Sequence, residues 1–253
     1  MRSIPVILWL AAELAAAGGR VMEQVPPDKG VVRTAVIGGM TMTGLWGQVS
    51  RLFEAETGLK VRVVATGPRP GLAEALRGGH ADLLTMHSGD VTTDLVADGY
   101  GVNMRPWTRN DLVIVGPAAD PAKIRGLKDG AEAFRRIAAA QAPFVEFRGI
   151  GSQELCHTLW KRAGIVPKGA WLLRDEAEED KDVLLFAAKH AGYVVVGRMP
   201  VLFRKMEASD QPILVDGDPT MRRPYVVMEA NPKRFPDANH AGAKALADFL
   251  LSE

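Results

Sequence analysis

Short runs of β-branched and other apolar residues alternate along this chain with segments whose apolar positions recur at helical spacing. The runs at 33–37, 61–66, 83–86, 112–115, 144–146, 193–196 and 225–228 predict strands, and the segments 43–57, 71–76, 131–140, 152–163, 182–190 and 241–251 predict helices. Strands that alternate with helices predict an α/β fold of mainly parallel sheets flanked by helices, because parallel strands need crossover connections and both faces of such a sheet must be covered.

The N-terminus departs from this alternation. Arg2 precedes an apolar run at 4–17 that ends in Ala15, Ala16, Ala17 and Gly18, which is the charge, core and small-residue order of a secretory signal, and it is short for a bilayer span. Glu13 interrupts the run, so a buried N-terminal helix is the alternative. Residues 1–18 are therefore expected to be a signal peptide and 19–30, with Pro26, Pro27 and Gly30, a linker to a fold beginning near Val32. Cleavage would leave the mature chain periplasmic or extracellular. No cysteine follows the run, so a lipid-anchored cysteine is not expected.

With 253 residues, 47% of them hydrophobic, the chain can bury one large core or two modest ones. A net charge of +1, with acidic and basic residues interspersed, lacks the basic patch that neutralises nucleic-acid phosphates, so no nucleic-acid partner is expected. Cys156, the lone cysteine, excludes an intramolecular disulfide and a multi-cysteine metal site, and reads as buried filler. The dense acidic stretch 174–182 reads as a solvated loop leading into a helix whose positive end favours carboxylates.

Two strand-to-helix turns carry chemistry. In parallel sheets ligands collect at the carboxyl ends of strands, where helices direct unpaired N–H groups. The turn Gly38-Gly39-Met40-Thr41-Met42-Thr43-Gly44 combines glycines, which admit close backbone approach, with two hydroxyls beside a helix start. It fits a nest for a compact anion, or a tight turn in which Thr43 only caps its helix. The second turn, Arg148-Gly149-Ile150-Gly151-Ser152, sets a permanent cation beside a helix that Ser152 is expected to cap; a plain cap with a surface arginine is the alternative. His87, at the end of a strand, either borders the ligand or serves as a structural hydrogen-bonding residue.

Catalysis and metal binding find little support. Ser152, His157 and Asp175 supply the residue types of a hydrolase, but His157 lies more than one helical turn from Ser152, and the chain is not expected to be an enzyme. His80, His87, His157, His190 and His240 show no i, i+4 pair, so no metal is expected, and Met40 and Met42 read as pocket wall.

From about residue 33 to its end the chain resembles the tungstate-type periplasmic solute-binding proteins of ABC transporters. The resemblance rests on the ordered series Gly44-Leu45, Phe53-Glu54-Ala55-Glu56-Thr57-Gly58-Leu59, Gly79-His80-Ala81-Asp82-Leu83, Gly99-Tyr100-Gly101-Val102-Asn103, Asn110-Asp111-Leu112-Val113, Leu159-Trp160-Lys161-Arg162-Ala163-Gly164, Gly217-Asp218-Pro219, Arg223-Pro224-Tyr225 and Asn231-Pro232. It implies a two-lobed type II binding-protein fold, with lobe I formed by 31–111 and 224–253, lobe II by 112–223, and two hinge crossings between them. It also implies capture of a tungstate- or molybdate-like oxyanion for uptake by an ABC permease, by a monomeric receptor without cofactor. Ligand contacts would come from Gly39, Met40, Thr41 and Thr43 in one lobe and Arg148, Gly151 and Ser152 in the other, so that the anion favours closure.

The family's Thr-Thr-Thr-Ser run falls here on Val36, Ile37, Gly38 and Gly39, so its hydroxyls are absent, and the loop after Arg148 is two residues shorter than the family's Ser-Arg-Gly-Asp-x-Ser-Gly-Thr-His. Each lost donor leaves a buried acceptor unsatisfied at a cost of about 1–3 kcal/mol. Backbone N–H groups replacing the hydroxyls, or a larger carboxylate- or phosphate-bearing ligand, would answer that loss. A ligand-sensing protein of the same fold, signalling without transport, is the alternative function.

Overall fold

The computed structural model describes residues 24–206 and 210–252; the expected signal peptide at 1–18 lies outside the described residues. In chain order the elements are β1 (Val31–Ile37), α1 (Gly38–Met42), α2 (Leu45–Thr57), β2 (Lys60–Gly67), α3 (Arg69–Arg77), β3 (Leu83–His87), α4 (Asp90–Ala97), β4 (Gly101–Val115) and α5 (Gly130–Ala139). They continue with β5 (Phe144–Glu146), α6 (Ile150–Ala163), β6 (Leu172–Arg174), α7 (Val183–Lys189), β7 (Tyr193–Gly197), α8 (Arg198–Leu202), β8 (Ile213–Val215), β9 (Arg222–Ala230) and α9 (His240–Leu251). The chain divides into two compact units, the first running to Thr108 and resuming at Pro224, the second running from Arg109 to Arg223.

In the first unit β1 pairs in parallel with β2 and β3, while β9 pairs antiparallel with β3. The three N-terminal strands are parallel, as the alternation of strands and helices predicts, and β9 adds an antiparallel strand that the apolar pattern does not announce. That pattern reports burial and carries no strand direction. One core fills the unit, with Phe53, Trp46, Leu76, Leu84 and Met228 buried around it. In α2, Trp46, Val49 and Phe53 recur at helical spacing and pack on this core.

A buried ion pair ties the unit together. Asp82 accepts the backbone N–H of Arg33 at 2.8 Å and its Nη2 at 2.6 Å, and the N–H of Asn239 at 3.1 Å. Both side chains are almost wholly buried, 3% and 0% exposed, so each carboxylate lone pair must meet a donor inside the fold. Asp82 lies in the Gly79-His80-Ala81-Asp82 stretch of the resemblance and is a structural anchor.

In the second unit β7 lies between β4, antiparallel to it, and β5, parallel to it; β6 extends the sheet beyond β5 and β8 pairs antiparallel with β4. Alternate residues bury opposite faces: Leu112, Ile114, Phe144, Tyr193 and Val195 enter one core, and Val113, Val115, Val145, Val194 and Val196 the other. That two-residue period is why apolar runs of this unit read as strands with both faces covered. Asp129 caps α5 by accepting from Ala131 and Glu132, and Asp218 accepts from Gly130 and Thr220, both at 2.7 Å.

Candidate functional site

In the first unit the parallel strands β1, β2 and β3 bring their carboxyl ends to one edge, where α1, α3 and α4 begin. The helix expected over 43–57 is α2, which begins two residues later at Leu45, and a short helix that the sequence did not predict precedes it. Residues 38–42 form the short α1, and Gly44, at φ +82°, breaks the path before α2. That left-handed conformation suits glycine, which has no Cβ to clash with the carbonyl.

The hydroxyls of this turn are already engaged. Thr41 Oγ1 donates to Gly38 O at 2.9 Å, and Thr43 Oγ1 donates to Gly39 O at 2.8 Å. Thr66 Oγ1 stands 2.8 Å from Thr41 Oγ1; with the single Thr41 proton on Gly38, Thr66 is the donor of that contact. The expectation that Thr41 and Thr43 offer hydroxyl donors is therefore corrected, because their protons satisfy carbonyls of their own turn. The donors left at this corner are main-chain N–H groups at the start of α1, among them those of Gly39 and Met40. The Met40 side chain is fully buried and anchors the turn.

Two neighbours that the sequence reading did not single out, Arg69 and Tyr225, join this edge. Arg69 opens α3, and a side-chain carbon built on Gly89 would lie 3.4 Å from its Nη1, so the guanidinium passes over the β3–α4 turn. Tyr225 of β9 packs against His87, the two rings tilted by 33° with centroids 4.4 Å apart, and its hydroxyl would lie 4.0 Å from a carbon built on Gly39. His87 thus sits beside Tyr225 at this edge of the first unit.

In the second unit β5 and β7 run parallel and lead into α6 and α8. Ser152 does not cap α6. The helix starts two residues earlier, Gly149 is the capping residue without any side-chain bond, and Ser152, 4% exposed, is the third helical residue. The Gly-Ile-Gly spacing lets the backbone turn into the helix before the serine is reached.

Arg148 is held from one side. Its Nε meets Asp180 at 2.8 Å and Asp175 at 3.6 Å, and Nη2 donates to Ala177 O. The hydrogen bond to Asp180 holds its pKa above the ordinary arginine value, so the cation is permanent. Asp175, whose side chain is 1% exposed, is buried against it, which corrects the view of 174–182 as merely a solvated loop: this segment fixes the guanidinium plane. Among the described residues no partner is recorded for Nη1, the edge that Arg148 presents beyond this brace.

Arg223 is a further cation beside the start of α6, also outside the sequence expectations for the site. Its guanidinium covers Gly151: a carbon built there would lie 1.7 Å from Nη1. A cleft of about 730 Å3 opens along the face of α6 that carries Gln153, Cys156, His157 and Trp160, with Arg148 and Asp175 among its walls. Desolvation pushes the Cys156 thiol well up, so it is no nucleophile at neutral pH. No hydrogen bond among the described residues joins Ser152 to His157 or His157 to Asp175, and no group of three metal-ligating side chains occurs among them.

Comparisons with known proteins agree with this architecture. Residues 34–253 match the family described as bacterial extracellular solute-binding protein. The chain is 34% identical over 217 residues to a protein of Haloferax volcanii assigned as an ABC transporter anion-binding protein; that match covers 83% of this chain, which spans only 62% of the relative. Among solved structures, the tungstate ABC transporter of Geobacter sulfurreducens is similar with TM-score 0.75 and 31% identity, over 88% of this chain and 94% of that one. The tungstate-binding protein TupA of Desulfovibrio alaskensis G20 is similar with TM-score 0.78 and 28% identity, over 88% and 90%. The topology is that of the type II periplasmic binding proteins, and the chain belongs to the bacterial extracellular solute-binding protein family.

Proposed function

We propose that this protein is the extracytoplasmic receptor of an ABC importer and that its solute is a small oxyanion of the tungstate and molybdate class. The observation that carries the reading is the donor set at the strand ends of each unit taken by itself. The first unit offers the N–H groups at Gly39 and Met40 with Arg69 nearby, and the second offers the braced Arg148 with Gly151 and Ser152. Anions favour such helix starts and fixed guanidinium groups. The names of its relatives support the anion class and the transport role.

On this reading the chain performs no catalysis, needs no cofactor or metal, works as a monomer in the periplasm or outside the cell after loss of residues 1–18, and delivers its anion to a membrane permease. The residues proposed to contact the anion in the first unit are Gly39 and Met40, with Thr41 and Thr43 shaping the turn through their inward hydrogen bonds.

A second reading has one observation in its favour. Val36, Ile37, Gly38 and Gly39 stand where the resembled family carries hydroxyls, and Thr41 and Thr43 spend theirs internally, which suits a carboxylate- or phosphate-bearing solute that needs fewer hydroxyl donors. A thermal-shift screen of the purified chain against tungstate, molybdate, sulfate, phosphate, small dicarboxylates and neutral sugars separates the two. Stabilisation by tungstate and molybdate is expected, since a ligand that binds only the folded state raises its stability. A response confined to dicarboxylates or phosphate esters selects the second reading, and one confined to neutral sugars rejects both.

A further inference from the structure

β5 and β6 run parallel at the edge of the second unit's sheet, with Phe144 opposite Leu172 and Glu146 opposite Arg174. Side chains two apart on a strand share a face, so Glu146 and Arg174 stand on the face that sends Phe144 and Leu172 into the core beneath α6. Neighbouring strands lie about 4.8 Å apart, so opposite charges in register there are placed to pair. These two form no ion pair; neither side chain makes a hydrogen bond or salt bridge with a described residue, and both are exposed.

Both charges open instead on the cleft of about 730 Å3 beside α6, a volume that suits a small organic molecule. The floor of this cleft is apolar. Trp160 and Phe147 are 6% and 8% exposed, and Cys156 and Ile165 lie partly buried next to them. Burial, and after it the Glu146 carboxylate, raises the Cys156 pKa, which places that negative charge on the α6 side of the strand. The other charges of the cleft stand apart from the pair: Arg148 and Asp175 face each other, and Lys161 lies toward the C-terminal end of α6. A carboxylate and a guanidinium held apart above an apolar floor match a ligand with an apolar body and a head that carries both charges.

We propose that this cleft is a second ligand site, which takes an α-amino acid with a large apolar side chain. Arg174 donates to the ligand's carboxylate, Glu146 accepts from its ammonium, and the apolar side chain lies on Trp160 and Phe147. Tungstate would meet Glu146 as a like charge and would bury no apolar surface there, so the cleft selects against it. The site lies wholly within the second unit, shares only the Arg148 wall with the proposed oxyanion contacts, and does not depend on the oxyanion reading.

The test is titration of the full chain with L-phenylalanine, followed by tryptophan fluorescence and by calorimetry. Two analogues run beside it: 3-phenylpropionate, which lacks the ammonium, and 2-phenylethylamine, which lacks the carboxylate. Phenylalanine should bind with Kd on the order of 0.1–1 mM, and each analogue at least about tenfold more weakly. Glu146→Gln and Arg174→Gln should each weaken phenylalanine by about three- to tenfold. Glu146→Gln should leave 3-phenylpropionate unchanged or tighter, and Arg174→Gln should do the same for 2-phenylethylamine, because each analogue lacks the group that the lost charge would meet. Trp160→Phe should remove most of the fluorescence response while calorimetry still detects binding. Saturating tungstate should leave the phenylalanine Kd within about threefold.

No phenylalanine binding up to about 10 mM, an analogue that equals phenylalanine, Gln variants that bind it unchanged, or a fluorescence response undiminished in Trp160→Phe would each overturn the proposal. Competition with tungstate would put phenylalanine in the oxyanion site and overturn it as well. The ligand series needs only the unsubstituted chain, so it reports even if a variant fails to fold, and the oxyanion reading is decided separately by the tungstate titration.

Discussion

The hydroxyl of Thr41 donates to the carbonyl of Gly38 at 2.9 Å, three residues back in the same short helix. With Thr43 bonded in the same manner to Gly39, the two threonines brace the turn that an anion would meet and keep no proton for it. Thr41→Val should therefore change anion affinity by no more than about threefold, whereas Arg148→Ala, which removes a fixed charge, should weaken it by about tenfold or more. Titration calorimetry on both variants checks this, and equal losses would refute the assignment.

Asp82 makes a structural prediction. Its carboxylate is fully buried and receives donors from Arg33 and from Asn239, residues far apart in the chain. Asp82→Ala strands the Arg33 cation and should cost about 3–5 kcal/mol, read from urea denaturation. A loss below about 1 kcal/mol, the range of exposed ion pairs, would show that water reaches Arg33.

Asp218 predicts a pH dependence. Burial by itself raises its pKa, but the N–H groups of Gly130 and Thr220 outweigh it and hold the carboxyl below the usual range. A depressed folded-state pKa means that the contribution is complete above the unfolded value, about 3.9, and is lost as pH falls through the folded value. Asp218→Ala should be less stable at pH 7 by about 1–3 kcal/mol for each N–H left unpaired, with a shallower loss of stability on acidification than the unsubstituted chain. Parallel acid slopes in denaturation series from pH 7 to pH 3 would exclude this role.

Gly44 predicts a turn effect. Its φ of +82° belongs to the left-handed region, so Gly44→Val should destabilise the chain by about 1–2 kcal/mol and disturb the α1–α2 junction. Differential scanning calorimetry reads the loss, and unchanged stability would show that the junction relaxes.

Much of the architecture was legible because burial on both faces leaves a mark in the chain. Residues 193–196 are a continuous apolar run and 144–145 a shorter one closed by Glu146, and the strands β7 and β5 occupy them almost residue for residue. The first half of β4 was illegible, since Asn103, Met104 and Arg105 alternate in no apolar pattern there and Pro106 lies within it. α4 escaped notice because Thr92 and Thr93 are weak helix formers; its start is secured by Thr92 bonding back to the Gly89 N–H at 3.0 Å.

The site was legible only where it is local. Gly38–Met42 and the segment after Arg148 announce themselves as glycine-rich turns, but Arg69, Tyr225 and Arg223 acquire a role by approaching Gly89, His87 and Gly151. Those approaches depend on the pairing of β9 with β3 and on where the start of β9 meets α6, long-range outcomes that no spacing along the chain encodes. The hydroxyls of Thr41 and Thr43 were legible as residues and misread as donors, because hydrogen-bond direction is decided by the helix they sit in.

The central claim is that this receptor holds a small oxyanion through main-chain N–H groups and guanidinium forks, with few hydroxyl donors. Titration of the purified chain with tungstate against an equal series with glucose tests it most directly. Saturable one-to-one binding of tungstate that weakens in Arg148→Ala is the predicted result; saturable binding of the neutral sugar, with no heat from any oxyanion, would contradict it.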